Sequence, residues 1–183
     1  MDEVTKTNLD KLKSPDGEAR YQALNYILEV TSSPVAWAYD VWDEMLATLR
    51  HENNHQRAIA AQVLCNLAKS DPDGRMLKDF EALLTATKDE KFVTARHSLQ
   101  ALWKVGLAGK AQQKLLLDGL ARRFHECSTE KNCTLIRYDI LQGLSRLYDE
   151  APDEAIRTKA LALMELEEDV KYRKKYATLW KGK

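Results

Sequence analysis

His51-Glu52-Asn53-Asn54-His55 has the residue types and spacing with which a helix can hold zinc. Two imidazoles four residues apart share one helical face, and the glutamate between them can act as general base on a metal-bound water. If residues 34–70 formed one unbroken helix that geometry would exist, with Glu81 or His97 as third-ligand candidates. Against it, Asn-Asn is a poor helix interior and a good turn, and Arg57 stands where an apolar residue is usual. The pentapeptide is expected in a turn, and a zinc metallopeptidase using His51, Glu52 and His55 is kept only as an alternative.

A second set of ligand types, His125, Cys127 and Cys133, falls in one loop. The C-x5-C spacing is wider than a zinc knuckle and a fourth ligand is lacking, so incidental surface thiols are expected. Cys65 reads as a small core residue. No glycine-rich phosphate loop and no G-x-S-x-G elbow occurs. Nothing in the spacing places two carboxylates in a shared cleft. The chain is therefore expected not to be an enzyme, with no cofactor and no metal.

Basic residues with interleaved rings mark the C-terminal segment: Lys171, Arg173, Lys174, Lys175, Lys181 and Lys183 beside Tyr172, Tyr176 and Trp180, with Arg122 and Arg123 in the same half. Such a surface can grip phosphates and stack bases, which makes nucleic-acid binding the main alternative function. The preceding Glu165, Glu167, Glu168 and Asp169 argue for a plain helix, acid at its start and base at its end. Overall charge is zero, where nucleic-acid binders are usually basic. The charge is unevenly spread: residues 1–90 hold 10 Lys+Arg against 16 Asp+Glu, and residues 91–183 hold 18 against 12. That separation of charge can orient a partner or favour head-to-tail contact at low salt.

These residues must be positioned by helices. Over 183 residues there are only seven Gly and four Pro, too few turn formers for an all-β chain. Apolar residues recur at i, i+3, i+4 and i+7, the signature of amphipathic helices, and about ten are expected. Ser33-Pro34 and Asp71-Pro72 read as caps followed by a first-turn proline, opening helices at 34–51 and from about 72. A helix at about 91–107 should close at Gly106 and Gly109. No apolar run reaches membrane-spanning length, no secretory signal is visible at Met1–Lys6, and three unevenly placed cysteines fit a reducing cytoplasm.

Sliding the chain against itself aligns Arg20 with Ala23, Leu24, Ile27 and Val30; Arg57 with Ala61, Leu64 and Leu67; and Arg137 with Leu141, Leu144 and Leu147. A fourth copy has Ala95 in place of the arginine, followed by Leu99, Leu102 and Val105. The spacings are 37, 38 and 42 residues. A fixed period of this size means one supersecondary unit stacked on copies of itself.

Through these residues the chain resembles the HEAT-repeat and armadillo-like α-solenoid superfamily. The resemblance rests on a second helix that opens with Ala19-Arg20, Gln56-Arg57 or Ile136-Arg137 and continues with small and aliphatic residues. It implies one domain over 1–183: an all-α, right-handed solenoid of four to five HEAT-like helical hairpins, about ten helices in all. It also implies a ladder in which the arginine meets an acidic residue of the preceding turn. Asp16 before Arg20 and Asn53 before Arg57 are its candidates, with Asp89 in the copy that has lost its arginine. Arg20, Arg57 and Arg137 are then structural.

The function so implied is a non-catalytic scaffold or adaptor that holds a protein or peptide on the concave face of the second helices. Asn25, Tyr26, Gln62, Asn66, Gln100, Lys104, Gln142 and Arg146 are the candidate contacts. Trp42 reads as core, whereas Trp37 and Trp103 are candidates for exposure and interface use.

Overall fold

Ten α-helices and no strand make up the computed structural model, which describes residues 1–183. They are α1 (Glu3–Lys11), α2 (Gly17–Val30), α3 (Ala38–Thr48), α4 (Asn54–Leu67), α5 (Met76–Ala86), α6 (Phe92–Ala101), α7 (Lys110–Glu126), α8 (Cys133–Glu150), α9 (Glu154–Glu165) and α10 (Val170–Ala177). Tighter 3-10 turns follow α4 (Ala68–Ser70), α6 (Leu102–Ala108), α7 (Cys127–Thr129) and α10 (Thr178–Trp180). No helix is long and apolar enough to cross a membrane.

Five helices begin at an Asp or Asn whose side-chain oxygen accepts a first-turn N–H. Asp2 accepts from Thr5 at 2.7 Å, Asp16 from Glu18 at 3.0 Å, and Asn53 from His55 at 2.8 Å. Asp153 accepts from Ala155 and Asp169 from Lys171, each at 2.8 Å. Each satisfies a donor the helix cannot, worth about 1 kcal/mol.

The two cap-then-proline expectations fail at their boundaries. Helix α3 starts at Ala38, not at Pro34. The Val35 N–H donates instead to Ser70 Oγ at 2.9 Å, tying this stretch to the turn after α4. Helix α5 starts at Met76, yet Asp71 still serves it from five residues back. Its carboxylate accepts from the amides of Arg75 (2.9 Å) and Met76 (2.7 Å) and from the Tyr39 hydroxyl (2.5 Å). The intervening turn needs the left-handed backbone of Gly74, φ 69°. The helix expected at 91–107 ends at Ala101 and continues as the 3-10 turn to Ala108.

One connected apolar cluster runs from Leu12 to Trp180. Within it α4 packs between α2 and α6, and α6 between α4 and α8; α7 packs on both α5 and α9. Each even-numbered helix thus meets the next even-numbered one, most extensively from α4 to α8, and hides its small and aliphatic face in doing so. In α4, Ala58, Ile59, Ala60, Ala61, Val63, Leu64, Cys65 and Leu67 are all buried. Gly119 sets how closely α7 approaches α5, since a Cβ there would lie 2.6 Å from Phe80 Cε1.

Candidate binding groove

The surface that collects most of the candidate residues is made of two adjoining hollows. The first, about 390 Å³, lies between α2 and α4 and is lined by Arg20, Tyr21, Leu24, Asn25, Leu28, His55, Ala58, Ile59 and Gln62, with His97 from α6. The second, about 220 Å³, is lined by Gln62, His97, Gln100, Trp103, Lys104 and Arg146. Gln62 and His97 belong to both, so α2, α4, α6, the 3-10 turn after α6 and α8 border one continuous depression.

Five of the eight candidates therefore come together: Asn25, Gln62, Gln100, Lys104 and Arg146. Three do not line either hollow. Tyr26 turns towards α1, its hydroxyl 3.4 Å from Thr5 Oγ1. Asn66 is buried and ties helices together, its amide donating to Leu28 O (2.9 Å) and Thr31 Oγ1 (3.0 Å). Gln142 is half-buried on α8 outside both hollows.

Tyr21, His97 and Trp103 are groove residues that repeat spacing alone did not single out. A signal was present in Tyr21/Asn25/Leu28, His55/Ile59/Gln62 and His97/Gln100/Lys104. Each set steps by three or four residues and so lies along one helical face.

The two ends of the depression differ in chemistry. Around α2 the floor is apolar, and Tyr21 stands 61% exposed. At the other end Lys104 donates to the neutral Asn66 Oδ1 at 2.5 Å. Burial holds the pKa of Lys104 below the ordinary lysine range, with the positive charges of Lys69 and Arg146 adding to the effect and Cys65 opposing it. Cys65 supplies no counter-charge, because burial pushes its own thiol up to about 12. No carboxylate lines either hollow. Lys69 is bound to the backbone oxygen of Ser32, and the exposed Arg146 has no ion-pair or hydrogen-bond partner in the chain. Trp103 buries its indole N–H with no acceptor.

The largest hollow, about 650 Å³, lies between the turns before α2 and α4. It has no hydrophobic wall, and Lys13 and Glu44, both of which line it, pair at 2.5 Å.

The repeated arginines work differently from the ladder expected of them. Asp16 and Asn53 are helix caps, not arginine partners. Arg20 donates to the carbonyls of Ser14 (2.7 Å) and Pro15 (2.9 Å), and Arg57 to those of His51 (2.8 Å) and Glu52 (3.0 Å). Each therefore clasps the turn that leads into its own helix. The acid comes from the following loop. Arg57 binds Asp89 through two bonds of 2.6 and 2.9 Å, and Arg137 binds Glu167 at 3.0 Å. In the copy with Ala95, Arg96 takes over and holds the buried Asp139 by bonds of 2.7 and 2.9 Å.

The other chemistry-bearing motifs separate. His51, Glu52 and Asn53 lie in a turn and only Asn54 and His55 are helical, so the two imidazoles do not share a helical face. His51 Nδ1 accepts the Asn53 N–H at 2.9 Å, and Glu81 is bound by Arg122 at 2.5 and 2.8 Å. No three His, Cys, Asp or Glu side chains converge as a metal site would need. Cys127 and Cys133 do meet, Sγ to Sγ 2.7 Å, while His125 is exposed and stacks edge-on against Phe124.

In the basic tail, Tyr176 and Trp180 are buried, with the Tyr176 hydroxyl donating to Thr134 O at 2.7 Å. Lys175 covers Tyr138 at 4.8 Å. The two buried rings thus close the end of the core and offer no face to a base.

No protein-family model matches the chain, and no curated protein sequence matches it.

Proposed function

We propose that the chain is a non-catalytic binding module: a right-handed solenoid of HEAT-like helical hairpins that holds a protein or peptide segment in the groove bordered by its second helices. The observation that supports this reading most is the pair of adjoining hollows, which crosses α2, α4, α6 and α8 in the order in which those helices pack. A stack of hairpins has such an extended face by its geometry, since each unit adds the same helix one step further along.

The reading is tested by selecting short random peptides against the full chain and mapping the enriched ones by amide exchange. Protection should fall on α2, α4 and the segment 92–108. Gln62→Trp, which fills the junction of the two hollows, should abolish binding without altering the thermal transition. Absence of any enriched peptide, or protection confined to α3, α5 and α7, would overturn it.

A further inference from the structure

We infer that the segment this groove takes is acidic, with an apolar side chain on the α2–α4 floor and a carboxylate held between Lys104 and Arg146. The inference rests on the groove reading above and adds to it the partner's chemistry.

Its first support is the absence of counter-charge. Elsewhere cations at helix contacts are matched, as in Arg57–Asp89, Arg96–Asp139, Arg123–Glu130 and Arg137–Glu167. At the groove's far end, Lys104 and Arg146 line a hollow without a single carboxylate, and Lys69 lies close enough to repel Lys104. A desolvated ammonium whose one acceptor is a neutral amide retains unused donors. A carboxylate entering there gains two charge-assisted contacts and relieves the repulsion.

The second support is the apolar half. Tyr21, Leu24 and Ile59 give an amphipathic seat for one aliphatic or aromatic side chain. A nucleic-acid strand needs cations spaced along its whole backbone, and this face has them chiefly at one end. A peptide with one greasy and one acidic anchor matches both ends.

The anchors' spacing follows from helix geometry. The seats are two interhelix steps apart, about 18 Å, and offset by about seven residues along the helix axes, about 10 Å. The diagonal of about 20 Å corresponds to about six residues of extended chain.

The same peptide selection carries the test, followed by fluorescence anisotropy on a synthetic enriched peptide, its Asp/Glu→Lys counterpart and a single-stranded oligonucleotide. Expected are sequences with Asp or Glu about six positions from an apolar residue, weakened binding at high salt, and an affinity loss on the order of tenfold or more in Arg146→Glu. Arg146 is exposed and unpartnered, so this variant keeps its thermal transition. Lys104→Met should weaken binding as well.

Enriched peptides that map to the groove but show no acidic bias, or that bind equally after charge reversal, overturn the acidic assignment and leave the groove reading standing. No groove binding by any peptide overturns both. Tighter, Arg146-dependent binding of the oligonucleotide overturns the choice of a protein partner.

Discussion

Arg20 and Arg57 sit at the same place, four residues past the caps Asp16 and Asn53, and clasp the same two carbonyls of their own turns. Only Arg57 also holds a carboxylate, with side chains 13% and 6% exposed for Arg57 and Asp89. The repeat therefore contains its own control. Arg20→Met removes the clasp alone; Arg57→Met removes the clasp and strands Asp89. The carbonyls lie in exposed turns and take up water, so losing the clasp should cost about 1 kcal/mol in each. A stranded carboxylate keeps only the Lys91 N–H at 2.8 Å, and breaking such a buried pair costs about 3–5 kcal/mol. The clasp cancels between the variants, so their difference should be about 3–5 kcal/mol. At about 2–4 °C per kcal/mol for a domain of this size, that is roughly 6–20 °C in Tm.

Circular dichroism during heating and urea unfolding measure both variants. Adding Asp89→Leu to Arg57→Met removes the stranded charge and should recover most of the gap. Asp89 titrates below the ordinary carboxylate range because Arg57 donates to it, with burial opposing. The unfolded chain takes up that proton near pH ~3.9, the folded chain only lower. The pair's contribution is thus complete above that value and lost as pH falls through the depressed one, so the gap should be flat at neutral pH and close in acid. Equal losses in Arg20→Met and Arg57→Met, within about 0.5 kcal/mol, would refute the assignment.

Gly119→Ala places a methyl 2.6 Å from the Phe80 ring, which packing does not let yield. The clash should outweigh the helix-propensity gain and lower stability by about 1–2 kcal/mol in urea unfolding; a stabilised variant would show that α5 and α7 adapt freely. Asn66→Ala leaves Leu28 O, Thr31 Oγ1 and the Lys104 ammonium without their partner, so the urea midpoint should fall by the equivalent of about 2–3 kcal/mol with an unchanged slope. Oxidised glutathione should join Cys127 to Cys133 within one chain, two thiols losing their protons and two glutathione thiols being released. Free thiols then drop from three to one. Burial raises the Cys127 thiol to about 12, so the reaction should speed up strongly with pH, and three thiols persisting in mild alkali would contradict the contact.

Helices were legible because their signals are local. Asn53-Asn54 marked the turn that dissolves the zinc-binding pattern, and the same two residues start α4. What local signals cannot carry is the register between one helical pair and the next. Asp89, Asp139 and Glu167 lie 32, 43 and 30 residues beyond the arginines they hold; the repeat marks Asp89 as a ladder acid but not as the partner of Arg57 in the preceding copy, and marks the other two not at all. The starts of α3 and α5 moved for the same reason: Ser70 and Tyr39, from neighbouring segments, claim the groups that a simple cap would use. In the tail, Tyr172, Tyr176 and Trp180 step by four residues, which is the period of a buried stripe as much as of a stacking ladder. Packing decides for the stripe.

The unpaired end of the groove has an energetic consequence in the free protein. A lysine with a depressed pKa destabilises the fold while charged, because the unfolded chain binds its proton more tightly. That penalty is present below the depressed value and is relieved as pH rises from it towards ~10.4. A core that needed only packing would place Leu or Met at residue 104 at no electrostatic cost. Local rules that a chain obeys elsewhere and breaks at one place tend to mark a working site. Here Arg57, Arg96 and Arg137 each meet a carboxylate, whereas Lys104 and Arg146 at the end of the depression meet none. An anion bound there reverses the sign: it raises the Lys104 pKa, so an acidic peptide should bind with proton uptake as pH approaches the depressed free value and lose affinity above it. Calorimetric titration in two buffers of different ionisation enthalpy reads that uptake directly, and a zero proton count in Lys104's titration range would remove the ammonium from the contact.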